Sequence, residues 1–151
     1  MRGFRVLVVA AGVCLAATGL AAADTGATAT LSSHRAGAHN VGVGVTFSAL
    51  LQCGRPRGAL TVTLAGPVPK HIAASSVTLG GAPVGSVDVS GRTVTVKAAA
   101  GGTTCYSMRI ADETLTFAPS AGLANPAKRG AYSIRLVLGA TTYVAPFRIT
   151  G

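Results

Sequence analysis

The sequence predicts an all-β protein, an antiparallel β-sandwich of about eight or nine short strands. Apolar residues recur at every second position in several short segments, as they do on one face of a strand. Gly, Pro and Asn separate these segments at short intervals, a spacing typical of sandwiches. The clearest strand runs from Ala131 to Leu138, where Tyr132, Ile134, Leu136 and Leu138 share one face.

The other predicted strands show the same alternation. They cover Ala27–Leu31, Val41–Leu51, Leu60–Leu64, Val77–Leu79, Val84–Val89, Arg92–Lys97, Tyr106–Ile110 with an extension over Thr114–Phe117 after an irregularity at Asp112-Glu113, and Thr142–Thr150. Ser90-Gly91 predicts a two-residue hairpin turn. Because proline cannot donate to a strand ladder, Pro146 predicts an edge position or a bulge in the last strand.

Residues 1–23 have the features of a cleaved signal peptide. Arg2 and Arg5 form its basic region, Val6–Ala17 its apolar region, and Ala21–Ala23 the small residues that a signal peptidase requires. Residues 24–151 then form a single β-sandwich domain, which is large enough for one hydrophobic core. We therefore expect a secreted protein, extracellular or associated with the cell envelope, without membrane contact after cleavage.

The positive charge of the chain suggests one class of partner. The formal net charge is +9, and removing Arg2 and Arg5 leaves +7. An exported protein of this charge is attracted to polyanions, although ordinary solubility explains the charge equally well. The candidate binding residues for anionic envelope polymers are the two densest basic spots: Arg55, Arg57, Lys128 and Arg129. No aromatic residue interleaves them, so we do not expect nucleic-acid binding.

Catalytic chemistry has little support in the sequence. The nucleophile pattern Gly-x-Ser-x-Gly does not occur. Asp112 and Glu113 are adjacent, and neighbouring strand residues point to opposite faces, so the two carboxylates do not converge on one proton. We expect no enzyme activity and no cofactor. His34 and His39 leave one alternative, a small exported ligand or copper carrier, although their spacing matches no common pair of metal ligands.

One segment resembles the start of the penultimate strand in immunoglobulin-like domains. It is Gly130-Ala131-Tyr132-Ser133-Ile134, and the resemblance implies that the Tyr132 ring is buried and its hydroxyl is bonded to the preceding loop. Five segments in chain order also resemble immunoglobulin-like modules of secreted bacterial surface proteins: Val43–Phe47, Leu60–Pro69, Ser76–Gly80, Val87–Val96 and Ala121–Leu136. This resemblance implies a non-enzymatic structural or interaction module of the envelope, which contacts anionic polymers or another surface protein.

Two cysteines, Cys53 and Cys105, remain after signal cleavage. In an exported chain they most simply form a disulfide bond, with a metal site or two free thiols as alternatives. We predict the disulfide. The bond closes a loop of 52 residues, which chain-entropy reasoning values at about 4 kcal/mol. Intact mass with and without reductant checks the prediction, and two alkylatable thiols in the untreated exported protein would contradict it.

Overall fold

The computed structural model describes residues 25–99 and 106–151. The predicted signal peptide and Cys105 lie outside these residues. The described part of the chain forms ten strands: β1 Thr25–Leu31, β2 Val43–Gln52, β3 Arg55–Pro56, β4 Ala59–Thr63, β5 Val77–Leu79, β6 Ala82–Ser90, β7 Thr93–Ala98, β8 Met108–Phe117, β9 Gly130–Leu138 and β10 Thr141–Ile149. Among these residues we find no helix with the length and apolarity needed to cross a bilayer.

Nine of the strands form a closed ring. The order is β1-β10-β9-β4-β7-β6-β5-β8-β2, and β2 pairs again with β1, while the two-residue β3 adds to the end of β2. Thr25 and Gly26 of β1 pair in parallel with β10, and Ala27–Leu31 pair antiparallel with β2. The fold is therefore a closed mixed β-barrel with one parallel pair among its described strands.

The predicted antiparallel immunoglobulin-like sandwich is wrong, and so is the resemblance to immunoglobulin-like surface modules. A sandwich leaves edges open between its two sheets, whereas β1 changes partner along its length and joins them. Strand β6 does the same on the opposite side, since Ala82 and Pro83 pair with β5 and the residues from Val84 onward pair with β7. The ladder between β6 and β7 contains a register shift between Val84 and Ser86. Gly85 lies at this shift, where a side chain would press on the backbone of Ala98 and Ala99.

Most predicted strands exist, with small differences in their bounds. Strand β8 is continuous, and its register with β2 is unbroken from Met108 to Phe117, so the predicted irregularity at Asp112-Glu113 is wrong. Ser90 pairs with Thr93, which makes Gly91-Arg92 the hairpin turn instead of Ser90-Gly91.

Pro146 occupies a part of β10 that has a strand on one side. It pairs with Ser133 of β9, while the ladder between β10 and β1 includes only Tyr143 and Val144. The missing N–H of Pro146 therefore removes no hydrogen bond between β10 and β1.

The core fills the barrel with side chains from the inner face of every long strand. Its largest fully buried members are Phe47, Phe117, Leu51, Leu60, Leu115, Ile134, Leu136 and Ile149. Tyr143 packs against Phe47 with their ring centroids 5.2 Å apart. Burial of this much apolar surface provides the main driving force for folding.

The tyrosine that anchors the core is Tyr143, which the sequence did not indicate. Its ring is buried, its hydroxyl donates to the Ser48 carbonyl oxygen at 2.8 Å, and burial raises the pKa of Tyr143. The Tyr132 hydroxyl donates to the Lys128 carbonyl oxygen at 3.0 Å, a bond to the preceding loop. The Tyr132 ring, however, is half-buried and stacks on Phe147 instead of entering the core.

We expect Tyr143→Phe to lower the free energy of unfolding by about 1 kcal/mol or more, since it removes a part-buried hydrogen bond and leaves a carbonyl acceptor unpaired. Tyr132→Phe is the matched control, and it should cost less because water can replace its exposed bond. Urea denaturation of both variants measures the difference. An equal or larger loss in Tyr132→Phe would contradict this assignment.

Candidate functional site

The strand registers separate the two predicted basic spots. Leu60, which follows the Arg55–Arg57 segment, pairs with Leu138 at the end of β9. Lys128-Arg129 directly precede Gly130, the first residue of β9. At about 3.3 Å per residue, the length of β9 places the two spots roughly 26 Å apart, at opposite ends of the barrel.

At one end, four exposed basic residues from three segments lie close together. We name them the Arg129 cluster: Arg35, Lys128, Arg129 and Arg148. Arg35 forms a parallel bridge with Thr150, two residues after Arg148. Arg129 and Arg148 line one shallow depression, and the Arg129 guanidinium lies against Gly151. The sequence indicated Lys128 and Arg129, but no local pattern links them to the other two.

The backbone that carries Arg35 is firmly held. Thr150 donates its N–H to the His34 carbonyl oxygen at 2.7 Å. The Asn125 side chain is buried, and its Nδ2 donates to the carbonyl oxygens of Ser33 at 2.9 Å and Arg35 at 2.8 Å. Because both amide protons are used, Asn125 fixes the segment next to β10 and thereby places Arg35 beside Arg148.

The two candidate metal ligands take part in chain packing. The His34 Nδ1 lies 2.8 Å from the Arg148 carbonyl oxygen, so this nitrogen carries the proton and donates it. His39 forms an isolated bridge with Ala124. Within the described ranges, no group of three or more His, Cys, Asp or Glu residues is placed to hold a metal ion. The contacts therefore give the carrier alternative no specific support.

The other end of the barrel has a second set of exposed basic residues, which we name the Arg55 cluster: Arg55, Arg57, Lys97 and Arg109. The Arg55 guanidinium donates to the Ala99 carbonyl oxygen. Cys53 donates its N–H to the Ser107 carbonyl oxygen at 2.9 Å, which continues the pairing of β2 with β8. Because Cys105 lies outside the described residues, the Cys53–Cys105 disulfide stays a prediction.

Glu113 is the carboxylate whose environment is most altered. Burial raises its pKa above the ordinary value of 4.5, and the nearby Arg109 partly opposes the increase. The carboxylate also lies against Gly80, which has a left-handed φ of +58°, so a side chain there would collide with Glu113. The turn between β5 and β6 thus covers this acid.

The raised pKa of Glu113 predicts a pH dependence of stability. The unfolded chain loses this proton at a lower pH than the folded chain, so the stability contributed by protonated Glu113 is lost as pH rises from the ordinary value of 4.5 through the folded pKa. Glu113→Gln should remove this pH-dependent part of the stability. As pH rises from 4.5 through the folded pKa, the urea midpoint of the parent should therefore fall relative to that of the variant. Asp112→Asn is the control, and the same trend in both variants would contradict the prediction.

No protein-family model matches the chain, and no curated protein matches it. One similar solved structure is described as the crystal structure of BslA, a bacterial hydrophobin. It is 17% identical, with a TM-score of 0.49, and the alignment covers 83% of this chain and 97% of that chain. The fold is therefore defined by the strand pairing of this chain.

Proposed function

We propose that the protein is an exported, non-catalytic attachment domain that binds anionic polymers of the cell envelope. The observation that carries this proposal is the Arg129 cluster, in which the fold gathers cations that are distant in sequence. Arginine guanidinium groups offer paired donors that match phosphate and carboxylate oxygens. Binding through such contacts needs no defined sequence or stereochemistry in the polymer.

The distribution of acidic residues supports this proposal. In the described part of the chain the carboxylates are Asp88 on β6 and Asp112 and Glu113 on β8. Asp112 is exposed on the outer face of β8, whereas Glu113 is half-buried on the inner face. A single substrate cannot contact both carboxylates in the way that paired acid–base chemistry requires.

The Arg55 cluster gives the domain a second point of attachment. The two clusters lie roughly 26 Å apart, as the length of β9 indicates. A polymer that reaches both clusters gains affinity because the second contact forms within the same complex. We therefore expect loss of either cluster alone to weaken binding without abolishing it.

Co-sedimentation with isolated bacterial cell walls tests the proposal. The exported protein should bind at low salt and be released at high salt, since charge contacts are screened within about 8 Å at physiological ionic strength. The double variant Arg129→Ser, Arg148→Ser should bind roughly tenfold more weakly, which corresponds to about 1.4 kcal/mol.

A matched control removes the same charge elsewhere. Arg92 and Arg135 are exposed and belong to neither cluster, so Arg92→Ser, Arg135→Ser should retain more binding than the cluster variant. Equal losses in the two double variants would show that only net charge matters. Binding that ignores salt would overturn the proposal.

A further inference from the structure

Among the described residues, the first half of β8 has one open side. Strand β8 pairs with β2 along its whole length, from Met108 to Phe117. On its other side, β5 pairs only with Leu115–Phe117. In the portion of the chain that the structure describes, residues 108–113 therefore have a strand partner on one side only.

Every second residue at this edge directs its backbone N–H and C=O groups away from β2, toward the open side. Cys53 donates its N–H to the Ser107 carbonyl oxygen, whereas Gly80 donates its N–H to the Thr114 carbonyl oxygen. Carbonyl direction alternates along a strand, so odd-numbered residues bond to β2 and even-numbered residues face away from it. The N–H and C=O groups of Met108, Ile110 and Asp112 therefore point to the open side.

Three even-numbered residues in or just before this half of β8 carry exposed apolar side chains: Tyr106, Met108 and Ile110. Relative exposure is 85% for Tyr106, 51% for Met108 and 75% for Ile110, and Leu50 of β2, directly opposite Ile110, is 49% exposed. We name these four residues the Ile110 edge. The other half of this outer face is polar, and the Thr46 and Thr114 hydroxyls there lie 2.9 Å apart.

We propose that the Ile110 edge pairs with the same edge of a second copy of this chain, antiparallel and across a two-fold axis at Ile110. An apolar patch alone would also suit a lipid surface. Here, however, insertion would bring unpaired N–H and C=O groups into hydrocarbon, at a cost of several kcal/mol for each group. An added strand bonds these groups and covers the apolar side chains together.

The edge is self-complementary in this register. Ile110 lies opposite Ile110 of the partner subunit, and Met108 lies opposite Asp112 of the partner subunit, all with backbone groups that face the shared edge. Leu50 of each chain extends the two isoleucines into a continuous row of four apolar side chains across four strands.

Charge also favours this register over its neighbour. On the other face, Arg109 of each chain lies opposite Ala111 of the partner subunit, and its two diagonal neighbours, Glu113 of the partner subunit and Arg109 of the partner subunit, have opposite charges, so this face does not decide the register. An axis at Asp112 would instead place two carboxylates directly opposite each other, which is destabilising. The β5–β6 turn also occupies the edge at Thr114, as its Gly80 hydrogen bond shows.

Sedimentation velocity of the exported protein over a range of concentrations tests the association. The parent should form a dimer, and Ile110→Lys should weaken it at least tenfold while circular dichroism shows an intact fold. Ser133→Lys adds the same charge at an exposed position of β9, opposite Pro146 of β10 and outside the Ile110 edge, and should behave as the parent. A parent that stays monomeric at every concentration, or a dimer that tolerates Ile110→Lys, would overturn the proposal.

Cysteine cross-linking tests the register. Directly opposed residues of a hydrogen-bonded antiparallel pair have Cα atoms about 5.5 Å apart, which a disulfide can span. Ile110→Cys should therefore form a covalent dimer under mild oxidation. The two copies of Asp112→Cys would be four residues apart along the strands, about 13 Å, and should not cross-link.

Two further results would count against the proposal. Equal cross-linking of the two cysteine variants would exclude an axis at Ile110. A monomer that binds phosphatidylglycerol vesicles in an Ile110-dependent manner would assign the edge to a lipid surface. The association is independent of wall attachment, because the Arg129→Ser, Arg148→Ser variant should still dimerise and Ile110→Lys should still bind walls at low salt.

Discussion

The divided pairing of β1 is the constraint on which the rest of the structure depends. Two of its residues continue along β10 in parallel, and the next five turn to β2, so one short strand closes the barrel. Closure fixes β10 between β1 and β9. The end of β10 then meets the segment that follows β1, where Thr150 bonds to His34. The Arg129 cluster is therefore a product of barrel closure, since Arg35 and Arg148 meet only because β1 and β10 do.

Closure reduces the number of open strand edges, and in the described part of the chain the open side of β8 has a local cause. Closed barrels avoid edges that could recruit other chains, but β5 has only three residues and covers only the last part of β8. It ends at Leu79, and Gly80, which has a left-handed φ of +58°, begins the turn into β6. The turn that packs on Glu113 is thus also the point beyond which Met108–Asp112 have no second neighbouring strand within residues 25–99 and 106–151.

The alternation in the sequence correctly predicted most strands because it depends on neighbours two residues apart. It could not predict the barrel, because the β1–β10 pairing joins distant segments through Thr25 and Gly26, which carry no apolar signal. The predicted irregularity in β8 is wrong because one local pattern has a different cause. The apolar phase in β8 changes from even positions, such as Ile110, to odd positions, such as Leu115, and this suggested an irregularity. The unbroken register shows that Ile110 faces outward, so a phase change without a bulge indicated an exposed apolar surface.

The charged ends and the apolar edge would act together in a dimer. Ile110 lies in the half of β8 nearest the Arg55 end, so pairing at this edge leaves both Arg129 clusters at the far ends of the two barrels. A dimer would then present two such clusters to one polymer, and its avidity would exceed the affinity of a single chain without any new contact. Salt would affect the two steps differently, since screening weakens the polymer contacts and reduces the repulsion between two chains of equal positive charge. Attachment would therefore be tightest where ionic strength is low enough for binding and protein concentration is high enough for pairing.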